Sequence, residues 1–174
     1  MSGVVNSELQ IPERARSPLD ARAMERLAPE LEQELRRYLR NNPPVTGRKS
    51  PLNLAALRVI LRRLFEAEAT PEDLRRYVLF AAPLVRRVML ACAASANRPP
   101  SAALNLQRIE LWLQRLEAFD PLAVLMIDLH YFAGLTVHET AGVLGVSLET
   151  VTCDLRFARA WLKAYLGRPL AKRT

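Results

Sequence analysis

The stretch TVHETAGVLGVSLETVTCDLRFARAWL, Thr136 to Leu162, is patterned as two helices separated by one tight turn. Thr136 can cap a helix, and Glu139 stands three residues later, where it closes a capping box. A helix over Val137–Leu144 is therefore expected. Ser147 caps a second helix, which begins at Leu148 and runs to about Leu166. Thr150 stands at its box position in place of the usual Glu. Ala141, Gly145 and Val151 are spaced as a helix-turn-helix requires. The small alanine lets the helices approach, the glycine takes the turn conformation that side chains resist, and the valine seals the angle. Leu144, Val146, Leu155 and Ala158 complete the inner face.

The second helix of such a unit enters the DNA major groove and offers its first turns to base edges. Its outward positions are Glu149, Thr150, Thr152, Cys153 and Arg156, with Arg159 and Lys163 further along. Arg156 can donate two hydrogen bonds to guanine, and Thr152 can touch a base edge or a phosphate. Glu149 can accept from cytosine or stand as solvated surface. The charge is uneven. Residues 101–155 carry 2 basic and 7 acidic side chains, whereas residues 156–174 carry 6 basic and none acidic. Phosphate attraction supplies much of DNA affinity, so this unit alone should bind DNA weakly and act within a larger assembly.

Helical signals continue outward from this stretch. Asp120 caps, and Pro121 opens, a helix expected over Pro121–Phe132. Another covers about Leu104 to Glu117. NRPPS, Asn97–Ser101, stops a helix and keeps the chain extended, which makes it the expected domain boundary. Before it, Thr70 caps a helix opened by Pro71, with a kink or break expected near Phe80–Ala82 because of Pro83. LNLAALRVILRRLFEAEA places Leu54, Leu57, Leu61, Leu64 and Phe65 on one face and Arg58, Arg62 and Arg63 elsewhere. NNPPVTGRKSP, Asn41–Pro51, is a loop by composition. Further back, Asp20 caps a short helix towards Leu27, and Pro29 opens a second one with Leu31, Leu35, Tyr38 and Leu39 buried.

The fold class expected is all-α, with two small helical domains joined by a proline-rich linker. Residues 1–20 form a flexible arm, 21–96 the first domain, 97–103 the linker, 104–167 the second domain and 168–174 a basic tail. Composition agrees: among 174 residues there are 6 glycines and 12 prolines, half the residues are hydrophobic and the formal charge is +7. That charge suits nucleic acid, acidic partners and anionic membranes alike. No apolar run long enough to span a bilayer and no signal peptide is apparent, so a cytoplasmic protein without membrane contact is expected.

Enzyme chemistry is not expected. The two cysteines, Cys92 and Cys153, lack metal-type companions. His130 and His138 are the only histidines, and neither belongs to a nucleophile–base or metal-ligand pattern. Glu139 and Asp154 are explained by capping and surface charge. No cofactor is implied. Trp112 and Trp161 read as packing residues between the C-terminal helices, or as residues presenting one edge to a partner, with Leu125 and Met126 in the core.

The segment LQRLEAFDPLAVLMIDLHYFAGLTVHETAGVLGVSLETVTCDLRFARAWL resembles region 4 of bacterial extracytoplasmic-function (ECF) sigma factors, from about Leu113 to Leu166. ELEQELRRYLR and LFAAPLVRRVMLACAASANR are more faintly similar to that family's region 2. The resemblance implies a two-domain subunit that binds core RNA polymerase, melts the −10 promoter element with region 2 and reads the −35 element with region 4. It implies polymerase contacts at Leu54, Arg58, Leu61 and Arg62, and DNA contacts at Arg86 and Arg87. It also implies control by an anti-sigma protein or a Ser/Thr kinase, for which Thr70 at a helix N-terminus is the candidate phosphosite.

This chain departs from the family pattern where DNA would lie. Ala91–Ala96 replaces a segment that commonly carries an acid, a histidine and arginines. Thr152 and Cys153 replace a basic pair, and Leu155 stands where a tryptophan is common. Single-strand capture needs stacking platforms and cations. Two readings follow: an ECF-type sigma factor that directs promoter-specific initiation, or a sigma-like regulator that binds polymerase or another protein without melting promoters.

Overall fold

The computed structural model describes residues 18–43, 50–64, 71–95 and 100–167. Seven α-helices are present: α1 Pro18–Asn41, α2 Leu54–Leu64, α3 Pro71–Ser95, α4 Pro100–Glu117, α5 Pro121–Ile127, α6 Val137–Leu144 and α7 Leu148–Gly167. A π-helical stretch, Asp128–Phe132, continues α5. The described residues contain no strand, and the fold is all-α as the periodicity required. Thr70, Phe65, the arm before Pro18 and the basic tail after Gly167 lie outside the described residues.

Proline behaves differently from the sequence expectation at three places. Pro29 does not separate two helices; it sits inside α1. Its ring is exposed, so the lost N–H bond falls on the solvent side, where a helix can bend around its core. Pro83 likewise lies within an unbroken α3. Ala81, Ala82, Leu84 and Val85 on either side are buried, and that packing holds the helix through the missing bond. Pro100 is the first residue of α4, so residues 100–103 are helix rather than linker. A first helical position is where proline costs least, because that N–H has no intrahelical partner anyway.

The core explains why α3 is so apolar. It lies against α1 and α2 on one side and against the π-helical stretch, α4, α5 and α6 on the other. One buried cluster runs from Leu31, Leu35 and Leu57 through Val78, Val85 and Val88 to Leu129, Ala133, Leu135 and Val143. The first and second halves of the chain therefore share a core. A second cluster, with Trp112, Leu113, Met126, Val151 and Leu155, sits within the C-terminal half. By length and composition α3 is apolar enough to cross a membrane. Eight of its residues are buried in the fold, and Arg86 and Arg87 stand within its apolar length.

Three polar contacts fasten the halves together. Ser50 Oγ donates to the Phe132 carbonyl at 2.6 Å and accepts from the Leu52 N–H at 3.2 Å. Gly134, at φ +74°, leaves room for the Leu52 carbonyl, which would lie 1.9 Å from any Cβ there. Arg75 on α3 donates through Nε to the Val143 carbonyl at the end of α6. It thereby satisfies a carbonyl that the helix terminus would leave open. Arg86 reaches across to Asp128 at 3.3 Å and to Glu117 at 3.5 Å.

Candidate nucleic-acid interface

The helix-turn-helix forms by its local signals. Thr136 Oγ1 accepts from the Glu139 N–H at 3.1 Å, and Glu139 Oε2 accepts from the Thr136 N–H at 2.7 Å, closing the capping box. Gly145 ends α6 in the left-handed conformation at φ 71°, with its N–H donated to the Ala141 carbonyl. Ser147 Oγ then accepts from the Thr150 N–H at 3.0 Å and meets the Thr150 hydroxyl at 2.8 Å. Ala141 and Val151 are buried between the helices. Replacing Thr136 with alanine is expected to cost about 1 kcal/mol, read as a fall in melting temperature without loss of helical circular dichroism.

Glu149, Thr152, Cys153, Arg156, Arg159 and Lys163 follow helical spacing on α7, with Thr150 beside them, and all seven are exposed. The recognition surface inferred from sequence is thus one continuous stripe. Not all of its groups are idle. Thr152 Oγ1 donates to the Leu148 carbonyl at 2.7 Å, which leaves the hydroxyl free to accept. Arg156 Nη2 lies 3.8 Å from Cys153 Sγ, a weak contact that a base could displace. Arg159 donates through Nε and Nη2 to the Tyr131 hydroxyl at 3.2 and 3.0 Å. The Asp154 carboxyl is pushed above the usual range by partial burial and by the nearby Asp120.

The residues singled out in the N-terminal half are placed differently. Arg86 is turned inward, with its side chain only 15% exposed. Arg87 is 60% exposed but pairs with Glu32 of α1. Leu54 and Leu61 are core residues, 5% and 0% exposed, while Arg58 and Arg62 face solvent. Helical spacing explains the division: Leu54, Leu57 and Leu61 form the buried stripe, and the arginines stand off it. Arg58 borders a cleft of about 240 Å³ between α2, α3 and α6.

Two features were not evident from local pattern. Asp128 is 1% exposed, and its carboxyl is raised to about 7 by burial, against the opposing pull of Arg86 and with a smaller push from Glu117. Arg86 Nη1 faces Asp128 Oδ2 at 3.3 Å without forming an aligned hydrogen bond, and Asp128 Oδ1 has no hydrogen-bond partner. The signal in the sequence was a lone acid, Asp128, within an apolar helix. The other feature is the aromatic surface of Phe119, Phe157 and Trp161, which are 87%, 64% and 54% exposed. Trp161 is therefore not a packing residue between helices, whereas Trp112, at 2%, is. These side chains border a groove of about 470 Å³ between α4 and α7.

His130 Nδ1 is 2.7 Å from the Leu135 carbonyl, a contact that fixes the chain leaving the π-helical stretch. His138 is exposed. Among the described residues no three His, Cys, Asp or Glu side chains gather into a metal-binding group.

The described residues are all-helical and display a capped helix-turn-helix with an exposed second helix, the form that DNA-binding modules of transcription proteins use. Residues 84–168, just under half of the chain, match the family model of the ECF sigma factor. That match supports an ECF sigma factor, a family of DNA-binding, RNA polymerase-binding regulators of transcription that is generally non-enzymatic. No curated protein and no solved structure matched the chain.

Proposed function

We propose that this protein binds core RNA polymerase and directs it to selected promoters, with α7 as the element that reads sequence. The observation that supports this most is the single exposed stripe from Glu149 to Lys163, set on a helix-turn-helix whose turn, caps and buried seam are complete. Arg156 is the main base-reading residue in this proposal, and Arg159 and Lys163 serve phosphates. The weak charge of the unit is made up by the polymerase, which holds it against the duplex. Arg58 and Arg62 are the exposed members of the proposed polymerase contact on α2; Leu54 and Leu61 support it from the core.

The test is transcription by reconstituted holoenzyme. Arg156→Ala is expected to lower promoter-complex affinity about tenfold or more, since a bidentate arginine–guanine contact carries roughly 1–3 kcal/mol of discrimination. Core binding by the same variant should be unchanged, because Arg156 is exposed and away from the α2 surface. Equal activity of the variant on every promoter would remove Arg156 from the reading role.

One observation favours a second reading. Arg86 is used inside the fold, Arg87 is paired with Glu32, and Ala91–Ala96 offers neither cation nor aromatic ring. A chain with this N-terminal half could hold polymerase without opening the −10 element. Permanganate footprinting of the promoter complex separates the two: reactive thymines at −10 support initiation, and their absence with retained core binding supports the regulator. Control by an anti-sigma protein or by phosphorylation at Thr70 stays within the same proposal, and intact-mass measurement of protein from its native host tests the latter.

A further inference from the structure

A second cavity, of about 250 Å³, opens beside the recognition helix between α4, α5, the π-helical stretch and α7. Its floor is apolar and buried: Trp112 and Leu113 at 2%, Ile127 and Ala158 at 5%. Its rim carries Tyr131 and Arg159, both exposed. These two are joined by the hydrogen bonds already described, and the guanidinium carbon lies 5.8 Å from the centre of the phenol ring. Among the described residues, Arg159 has no carboxylate within ion-pair distance; its hydrogen bonds go to a neutral phenol. Trp112, which lines the cavity, has a buried Nε1–H without a hydrogen-bond partner.

An apolar well with one cation at its lip is complementary to a small amphipathic anion. We infer that this cavity binds a monocarboxylate with an aryl or medium-chain alkyl body, its carboxylate held by Arg159 and Tyr131 and its body on Trp112, Leu113 and Ile127. At the roughly 30 Å³ that one water occupies in the liquid, the volume holds about eight heavy atoms, the size of benzoate or a short fatty acid. The guanidinium fork accepts a carboxylate through two parallel bonds, which a neutral amide cannot reproduce. The phenol hydroxyl, relieved of its acceptor role, donates to the same carboxylate. Burial of the ligand body supplies the remaining affinity.

The consequence for DNA rests on the proposed role of α7. A carboxylate on Arg159 cancels one of the few cations flanking the recognition stripe. The site would then make DNA affinity respond to a metabolite-sized acid, with no movement of the helix-turn-helix.

The experiment uses the full chain and two matched pairs of probes: benzoate against benzamide, and octanoate against octanamide. Calorimetric titration and thermal shift read binding without DNA or polymerase. The carboxylates are expected to bind and raise the melting temperature, with each amide at least about tenfold weaker, since a hydrogen bond to a charged group is worth roughly 1.5–3 kcal/mol. Arg159→Gln should remove the preference for the acid and lower the unliganded melting temperature only slightly, because the bonds it loses to Tyr131 are exposed. Tyr131→Phe should weaken both acids by a smaller factor. Equal binding of acid and amide, binding unaltered in Arg159→Gln, or no binding of any probe at millimolar concentration would each overturn the site. A promoter-complex titration with benzoate is kept separate. Binding without any change in DNA affinity leaves the site in place and counts against the role of Arg159 at DNA.

Discussion

Gly134→Ala is expected to destabilise the chain by about 3–5 kcal/mol, the sum of a left-handed backbone penalty and an overpacked contact. The added Cβ would lie 1.9 Å from the Leu52 carbonyl oxygen, at a residue whose φ is +74°. That oxygen is backbone, so it cannot swing away as a side-chain tip would. The segment it belongs to is pinned as well: Ser50 bonds to Phe132, and Tyr38 Oη donates to the Pro51 carbonyl at 3.3 Å. For a chain of this length each kcal/mol moves the melting temperature by about 2–4 °C, so a fall of roughly 10 °C should be seen calorimetrically. Gly145→Ala supplies a graded control. It also has positive φ, but its nearest neighbour is the Arg75 Nη2 tip at 3.0 Å, which can yield, and a smaller loss of about 1–2 kcal/mol is expected. Gly142→Ala should be neutral or slightly stabilising, because nothing lies within 4 Å of its Cβ position and alanine favours the helix. A Gly134 variant as stable as the Gly142 variant would mean that the two halves do not share the core described.

The second large effect concerns the buried pair on that same seam. Arg86→Met is expected to cost about 1–3 kcal/mol near pH 7 and more as pH rises, because Asp128 loses its cation but can still hold a proton. Asp128→Asn should cost less, and the double variant should recover much of the loss, since the uncompensated carboxylate is then gone. Stability versus pH carries a separate signature. The folded Asp128 carboxyl, raised from 3.8 to about 7, holds a proton over a range where the unfolded chain does not. Folding is therefore favoured by this group at low pH, and that contribution is lost as pH rises towards and through 7. At about 1.36 kcal/mol per pKa unit the change is a few kcal/mol. Chemical denaturation at pH 5 and pH 8 should show the wild-type chain more stable at pH 5. Asp128→Asn should flatten the difference. An unchanged slope in that variant would assign the pH dependence elsewhere.

How far the sequence could be read depended on whether the cause was local. The helix over Val137–Leu144, its capping box, the turn at Gly145 and the Ser147 cap all rest on residues within four positions of one another, and each is found where expected. Asp120 and Pro121 opened α5 for the same reason, with Asp120 accepting from the Ala123 N–H at 2.9 Å. Prolines misled because their local preference was overridden by packing: Pro83 sits between buried neighbours that keep α3 continuous through it. The seam was invisible for a similar reason. Leu52 and Gly134, Arg75 and Val143, and Arg86 and Asp128 are far apart in sequence, and no periodicity relates them. The resemblance puts Arg86 at DNA, but Asp128, distant in sequence, holds it inside the fold. The exposure of Glu149 to Lys163 on α7 was legible from helical spacing, whereas the Arg159–Tyr131 pairing beside them required the fold.

Assembly of the chain with core RNA polymerase from its own host, followed by transcription from a library of that host's promoters, tests the functional assignment most directly. Tight core binding is expected, with transcripts from a restricted promoter set that weaken in Arg156→Ala and keep their start sites. Failure to bind core polymerase, or transcripts that do not depend on α7, would contradict the proposal that this protein is a promoter-selecting sigma factor.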